Sequence, residues 1–330
     1  MKNYIEHENK AVEAGTAFKH VMAITLDPRT HYQGIIRCIT SRQGELGVKG
    51  YVDRSELYKI SGDSLEKFII GDKLNIKNEK EIITELIKEG GNFIGLEDPD
   101  IWIDDTTDLM HVYFTIPIKG KHTITHLGHA EGKNIDSLTM TMPVLLGNEN
   151  SRAKEVSIAP LNKQGSRYNL FESSDHRGDF RYSTVRVAIV QDMSGPWKYG
   201  ETAFHPAEHN IPWIGGHASP GPLFPKSFID LGNGKVVGVI NGREADQKIG
   251  DEIKYGIFSV GLFIYDYEQG EIEWVSPQPF IQDSKAKIIT FASQFVETAP
   301  GKGILYAHVD DSFVRAYTLE ADRIKQLLPK

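Results

Sequence analysis

The sequence predicts an all-β fold built from many short strands. Three observations support this prediction: segments rich in β-branched and aromatic residues are short, turns rich in Gly and Pro separate them, and helical periodicity is scarce. Clusters of these segments recur at a spacing of about 50 to 65 residues, the length of a four-stranded blade with its loops. The pattern is typical of a sandwich, a barrel or a propeller, and about five blade-sized units would fit the 330 residues.

Short apolar segments carry the strand prediction, because β-branched and aromatic residues favour the pleated sheet. They are 34–39, 110–115, 185–190, 235–240, 257–265, 288–292 and 304–309. Asn233 and Gly234 come directly before one of them and predict a hairpin, since both tolerate positive φ. Helical spacing occurs in 79–89 and in 319–328. We therefore expect a single domain, 1–330, with a helical insertion near 79–89.

Composition excludes several classes of function. The chain is 40% hydrophobic and 25% charged, as in an ordinary globular protein with a large core. Its net charge of −8 and the lack of any basic block argue against a nucleic-acid partner, because neutralising phosphates requires clustered Lys and Arg. The sequence has no run of 18 apolar residues and no apolar leader, so we expect no membrane partner and a soluble, cytoplasmic protein.

The single cysteine, Cys38, excludes an internal disulfide and a metal site built from several cysteines. It lies in the apolar segment 34–39, so a buried thiol is expected rather than a nucleophile. No metal site is expected from the histidines either, because no His-Glu-x-x-His motif occurs. The closely spaced histidines are His122, His126 and His129, and then His205 and His209.

The segment 95–102 is the most informative functional signal. Glu97 and Asp98 stand between a short apolar run and Pro99, which disfavours helical geometry at the residue before it. In an extended chain neighbouring side chains point to opposite faces, so one carboxylate is expected to line a cavity while the other braces the structure behind it. This arrangement suits a general acid held in a pocket, and the alternative is a solvated turn.

Five motifs follow one another along the chain. They are the Glu-Asp-Pro segment 95–99, the strand pair 154–156 and 162–168, the Gly- and Pro-rich segment 215–227, the apolar strand 255–266 and the strand 306–312. In this order they resemble the motifs of glycoside hydrolase family 130, the five-bladed β-propeller mannoside phosphorylases and mannosidases. The resemblance implies a five-bladed β-propeller and an enzyme that cleaves a β-mannoside or a related glycoside with inversion. It leaves open whether cleavage is hydrolysis or phosphorolysis.

The resemblance also implies roles for individual residues. Asp98 matches the catalytic general acid of the family, and Glu97 beside it would hold substrate or backbone. Asp311 matches a sugar-binding aspartate, and Arg37 resembles an arginine on an early strand that faces the pocket. Lys226 matches a lysine that binds phosphate in the phosphorolytic members.

The sequence departs from the family pattern at two positions that bear on phosphate. Asp100 stands where the family often has Arg, and Asn241 stands where a phosphate-binding His is usual. His217 would substitute for that histidine, and Lys154 falls near another basic position. Since one departure adds a negative charge and the other removes a cation, they favour hydrolysis.

Every candidate residue also has a purely structural interpretation. Arg37 would form a structural ion pair, Asp311 would cap a turn, and His217 and Lys226 would be solvated loop residues. The expected partner is an oligosaccharide substrate, with no cofactor and with inorganic phosphate as co-substrate if cleavage is phosphorolytic. The sequence leaves open whether the protein forms a homo-oligomer.

Two further classes of function remain, because propellers host many activities. One is a non-catalytic propeller that binds sugars or a protein partner. The other is a furanosidase-type propeller glycosidase.

Overall fold

The strands of the computed structural model, which describes residues 2–44, 52–88, 90–178, 180–249 and 252–330, form the five four-stranded antiparallel blades of a β-propeller, and a parallel bridge between Ser183 and His217 joins blades 3 and 4. The first strand, β1 (Tyr4–Glu13), belongs to the last blade. Blade 1 consists of β2 (His20–Leu26), β3 (Gln33–Gln43), β4 (Val52–Ser64) and β5 (Lys67–Lys73). A helix, α1 (Glu79–Leu86), and a two-residue strand, β6 (Asn92–Phe93), follow it.

The remaining blades follow in chain order. Blade 2 consists of β7 (Glu97–Ile103), β8 (Met110–Lys119), β9 (Thr123–Gly132) and β10 (Thr139–Met140). Blade 3 consists of β11 (Lys154–Ser157), β12 (Arg167–Arg177), β13 (Phe180–Val190) and β14 (Lys198–Phe204). Blade 4 consists of β15 (His217–Leu223), β16 (Lys235–Arg243), β19 (Phe258–Asp266) and β20 (Glu271–Val275). A small hairpin of β17 (Gln247–Ile249) and β18 (Glu252–Lys254) lies between β16 and β19 in the sequence. Blade 5 contains β21 (Thr290–Ala299), β22 (Lys302–Val309) and β23 (Phe313–Glu320), and α2 (Ala321–Lys325) follows it.

The two ends of the chain close the ring together. Strand β1 pairs antiparallel with β23, with Tyr4 opposite Leu319, so the N-terminal strand is the outermost strand of blade 5. The ring of Tyr4 also packs edge-on against that of Tyr317, with centroids 5.8 Å apart. Closure of this kind leaves only short, protected sheet edges.

The core lies between the blades. Five large clusters of buried apolar side chains among the described residues each fill one interface between neighbouring blades. Strands β2, β7, β11, β15 and β21 are the innermost of their blades and contact one another in a ring around the axis. Residues distant in sequence therefore meet at the centre.

The seven predicted strand segments are confirmed, but each observed strand extends beyond the predicted bounds at one end or both, and β13 begins five residues earlier than predicted. Strand β19 begins one residue later than predicted and β21 begins two residues later. Asn233 and Gly234 have the expected positive φ values of 52° and 75°, and they end the longer connection 224–234 between the antiparallel strands β15 and β16. Cys38 is buried, and burial raises the pKa of its thiol to about 12, so it is no nucleophile at neutral pH.

Both predicted helices are shorter than expected. The first ends at Leu86 instead of residue 89, which lies outside the described residues, and the second is limited to Ala321–Lys325. Within the described ranges, neither helix has the length or apolar character needed to cross a membrane.

Candidate active site

A cavity of about 350 Å³ lies on the axis of the propeller, and all five blades contribute side chains to it. The titratable side chains of its described wall are Arg37 and Asp53 from blade 1, Glu97, Asp98 and Lys119 from blade 2, Arg152, Lys154 and Glu155 next to and on β11, His217 from blade 4, and His308 and Asp311 from blade 5. A second cavity of about 160 Å³ is lined by the five innermost strands. Asp98 and Glu155 line both cavities and so lie between them.

Asp98 and Glu155 share an unusual backbone conformation. Their φ values are 48° and 47°, and each lies at a break in strand register, in β7 and in β11 respectively. Ala23 occupies the matching break in β2 with a φ of 49°. Left-handed backbone at non-glycine residues is uncommon and tends to occur at functional sites, where the fold must compensate for its energetic cost.

The bulge at Asp98 overturns the expectation that Glu97 and Asp98 point to opposite faces. Arg37 contacts both: its Nη2 donates to Glu97 Oε1 at 2.7 Å, and its Nη1 donates to Asp98 Oδ1 at 2.8 Å. The expectation assumed a regular strand, whereas an extra residue at a bulge breaks the alternation of side chains. Both carboxylates therefore line the axial cavity.

Gly95 brings this segment close to blade 1. A Cβ atom there would lie 1.8 Å from the carbonyl oxygen of Ser55, and φ is +119°, so only glycine fits. The hydroxyl of Ser55 in turn accepts a hydrogen bond of 2.9 Å from Arg37 Nε. The guanidinium is thus held on three sides, and its charge is paired with two carboxylates.

A second charged cluster surrounds Glu172, whose side chain is completely buried. Lys154 Nζ lies 3.5 Å from Glu172 Oε2, and His217 Nε2 lies 3.2 Å from the same oxygen. Arg152 Nη1 lies 3.6 Å from Glu172 Oε1. Burial would raise the pKa of Glu172, but Lys154 and His217 outweigh it and hold the pKa below its ordinary value. Glu172 is therefore ionised and neutralises part of the positive charge of Arg152 and Lys154.

Asp311 is paired with a histidine on the blade 5 side of the cavity. His308 Nε2 lies 3.2 Å from Asp311 Oδ1, while the backbone N–H of Ala23 donates to His308 Nδ1 at 3.4 Å. That contact leaves the proton of the neutral ring on Nε2, facing the carboxylate. Burial would raise the pKa of Asp311, but the contact with His308 lowers it below its ordinary value. Asp311 is thus an ionised acceptor that faces the cavity.

The pKa values of Asp98 and Glu155 move in opposite directions, although both side chains are shielded from solvent. Burial raises the pKa of Glu155 well above its ordinary value, and the negative charge of Asp98 raises it further. Burial would also raise the pKa of Asp98, but the positive charges of Arg37 and Lys154 outweigh it and lower the pKa. A general acid must carry a proton before it reacts, so an Asp98 that acted alone would need a raised pKa instead of a lowered one.

The structure brings together five of the six residues singled out from the sequence: Arg37, Glu97, Asp98, His217 and Asp311 all line the axial cavity. Their roles in binding and catalysis stay predictions. Lys226 is not among the described residues of the cavity wall. It is exposed in the connection after β15, and its Nζ donates to the hydroxyl of Tyr267 at 2.9 Å.

The two departures that favoured hydrolysis do not bear on the axial cavity. Asp100 lines the second cavity, beyond Asp98. Asn241 is fully buried and binds the backbone of Ala292 in blade 5, accepting from its N–H at 2.7 Å and donating to its carbonyl at 3.0 Å. Neither residue is among the described lining of the axial cavity, so the two departures do not place a charge change in its wall.

Sequence reasoning missed Arg152, Glu155 and Glu172. The signal that could have found Glu155 is blade periodicity, since it follows Asp98 by about one blade length and occupies the same bulge. Glu172 offers no comparable signal, because its importance comes only from the side chains that surround it.

Among the described residues, one group of side chains has the spacing of metal ligands. Ligand atoms of His111, His129 and Glu131 in blade 2 lie within 4.8 Å of one another, outside the axial cavity. Hydrogen bonds account for the two rings, since His111 Nδ1 lies 3.0 Å from His129 Nε2, and His129 Nδ1 lies 2.8 Å from Thr141 Oγ1. We assign this group no metal.

Comparisons with known proteins support the fold. No family model and no curated relative matches the sequence. A glycosyl hydrolase from Bacteroides ovatus is 16% identical with a TM-score of 0.64, covering 97% of this chain and 94% of its own. The β-1,2-mannobiose phosphorylase of Listeria innocua is 12% identical with a TM-score of 0.67, covering 98% and 99%. A mannose phosphorylase from Leishmania mexicana is 13% identical with a TM-score of 0.53, covering 99% and 87%. Over nearly its whole length, the chain therefore has the fold of these solved structures.

Proposed function

We propose that the protein is a carbohydrate-active enzyme that cleaves a β-mannoside or a related glycoside with inversion in the axial cavity. The observation that carries the proposal is the Asp98 carboxyl, which lines the axial cavity beside Glu155 at a bulge with positive φ and accepts a hydrogen bond from Arg37. Cleavage with inversion requires an acid at the leaving oxygen and a nucleophile delivered from the opposite face of the sugar. The motif resemblance and the mannose and mannobiose phosphorylases among the structural neighbours support the class of sugar.

We favour water as the nucleophile because three of the four Lys and Arg side chains of the described cavity wall are already paired. Arg37 binds two carboxylates, and Lys154 and Arg152 both lie near Glu172. A phosphate dianion would have to compete with these carboxylates for the same cations. The charge of the described cavity wall thus supports hydrolysis on grounds other than those taken from the sequence.

Phosphorolysis is the second candidate, and a specific observation favours it. Arg152, Lys154 and His217 converge on one buried carboxylate, Glu172, and all three line the cavity. A phosphate could bind to the cavity side of this group through charge-assisted hydrogen bonds, which are the strong ones in proteins.

A screen of manno-oligosaccharides with and without inorganic phosphate distinguishes the two candidates. We expect free sugar to form at the same rate in both conditions. Sugar 1-phosphate as the product would contradict hydrolysis. In that case Arg152→Ala should weaken the dependence on phosphate, whereas Lys226→Ala, an exposed control outside the cavity wall, should not.

The same screen tests the remaining alternatives. Cleavage of furanosides without cleavage of any mannoside would select the furanosidase. Binding of glycans by the folded protein without turnover of any glycoside would select the non-catalytic propeller.

A further inference from the structure

We propose that Glu155 is the proton-storing partner of Asp98: the two carboxyls hold one proton between them, and Glu155 supplies the proton that Asp98 passes to the glycosidic oxygen. The inference rests on the proposed function for its chemistry. The sharing of the proton can be tested without any substrate.

The contact between the two side chains is the first step. Both side chains line the axial cavity and the second cavity, so the two carboxyl groups are neighbours in the wall between them, and a hydrogen bond between them is one cause of both pKa shifts. An ionised carboxylate is only an acceptor, so two carboxyl groups can form such a bond only if one of them carries a proton. Both groups line the axial cavity, so the shared proton is stored where a substrate would bind.

The cations around the pair decide which carboxyl holds the proton. Arg37 Nη1 donates to Asp98 at 2.8 Å, a charge-assisted bond that stabilises the ionised form. Glu155 has a weaker partner, since Lys154 Nζ lies 3.6 Å away and is shared with Glu172 at 3.5 Å. The opposite pKa directions of the two groups agree with a proton on Glu155.

The charges in the surroundings support a single proton. His217, from β15, is neutral in this count because burial lowers its pKa. Burial raises the pKa of Glu97, while Arg37 Nη2 donates to it at 2.7 Å and favours its ionised form. With Glu155 protonated, the carboxylates of the clusters around Arg37 and Glu172 are matched by an equal number of cations, and Asp53, Lys119 and Asp311 lie elsewhere on the cavity wall. The carboxylates are Glu97 and Asp98 on β7 and Glu172 on β12, and the cations are Arg37 on β3, Arg152 before β11 and Lys154 on β11.

The proton balance of the reaction follows from this arrangement. The proton moves from Glu155 to Asp98 along their hydrogen bond, and Asp98 donates it to the leaving oxygen as the bond to the anomeric carbon breaks. Water forms the new bond to that carbon and releases its own proton to solvent. The pair regains one proton from solvent, so each turnover consumes one water and leaves the enzyme unchanged.

Infrared spectroscopy of the unliganded protein tests the storage of the proton. A protonated carboxyl has a C=O stretch that carboxylates lack. We expect this band at a pH above the pKa of Asp100, which burial raises to about 7. The band should disappear in Glu155→Gln and persist in Asp100→Asn, a control on the same strand as Asp98 that faces the second cavity. A band retained in Glu155→Gln, or lost instead in Glu97→Gln, would overturn the proposal.

Asp98→Asn gives an independent measurement should Glu155→Gln fail to fold. Removing the charge of Asp98 should lower the pH at which the band is lost, and an unchanged titration would contradict the shared proton.

With an active enzyme, Glu155→Gln should also move the alkaline limb of the pH–activity profile to lower pH, because Asp98 alone has a lowered pKa. A purely structural role would reduce activity without moving that limb. The infrared measurement tests the shared proton even if the protein turns over no glycoside.

Discussion

Asp98→Asn is expected to lower glycoside turnover at least about a hundredfold, because general acid catalysis contributes about 10² to 10⁴ in rate. The substitution keeps the shape of the side chain and an oxygen for the hydrogen bond from Arg37, but it removes the transferable proton. The φ of 48° is tolerated by Asn as well as by Asp, so the bulge should survive. The measurement is kcat/KM for the substrate that the screen identifies.

Asp100→Asn serves as the matched control for that experiment. It makes the same chemical change on the same strand, but its side chain lines the second cavity. Near-normal activity of a folded Asp98→Asn protein would remove Asp98 from the mechanism. An equal loss in both variants would point to a structural effect.

Arg37→Met is expected to destabilise the protein by about 3–5 kcal/mol, the typical cost of removing one partner from a buried ion pair. The substitution leaves Glu97 and Asp98 without their guanidinium partner in a site where their side chains are 15% and 6% exposed. The free energy of unfolding, measured with denaturant, should show the loss at neutral pH. Arg323→Met, which removes an exposed ion pair with Glu320, should cost less than about 1 kcal/mol.

The pH dependence of that loss has a definite sign. Because the folded-state pKa of Asp98 lies below its ordinary value, its stabilising contribution is present above the unfolded-state pKa and is lost as pH falls through the folded-state pKa. The difference between wild type and Arg37→Met should therefore shrink as the pH is lowered through this range. A difference below about 1 kcal/mol at neutral pH would contradict the structural role of Arg37.

The strand content and the blade repeat could be predicted from the sequence, because short apolar segments and turn residues are local signals. The segment 235–240 illustrates this, since its composition and the preceding Asn233 and Gly234 identify strand and turn without any tertiary information. The lengths of the two helices were overestimated because helical spacing in the sequence continues beyond the residues that form each observed helix.

The site could be predicted only where a local motif marked it. Glu97 and Asp98 were found, but their common orientation was not, because it depends on a bulge that no sequence pattern revealed. Lys226 was selected because it matches a motif, but it lies in an exposed connection. The charge states of Glu155 and Glu172 depend on side chains from other strands and blades. Which residues meet at the axis depends on the tertiary structure, and the order of residues along the chain does not show it.

The most direct measurement of the proposed activity is the proton NMR spectrum of a β-manno-oligosaccharide during its first turnovers. The anomeric signals show which configuration is released before mutarotation mixes the two forms. We expect the α-anomer to appear first with the wild-type protein and to be almost absent over the same period with Asp98→Asn. Release of the β-anomer first, or no cleavage of any manno-oligosaccharide by the folded protein, would contradict inverting cleavage of β-mannosides in the axial cavity.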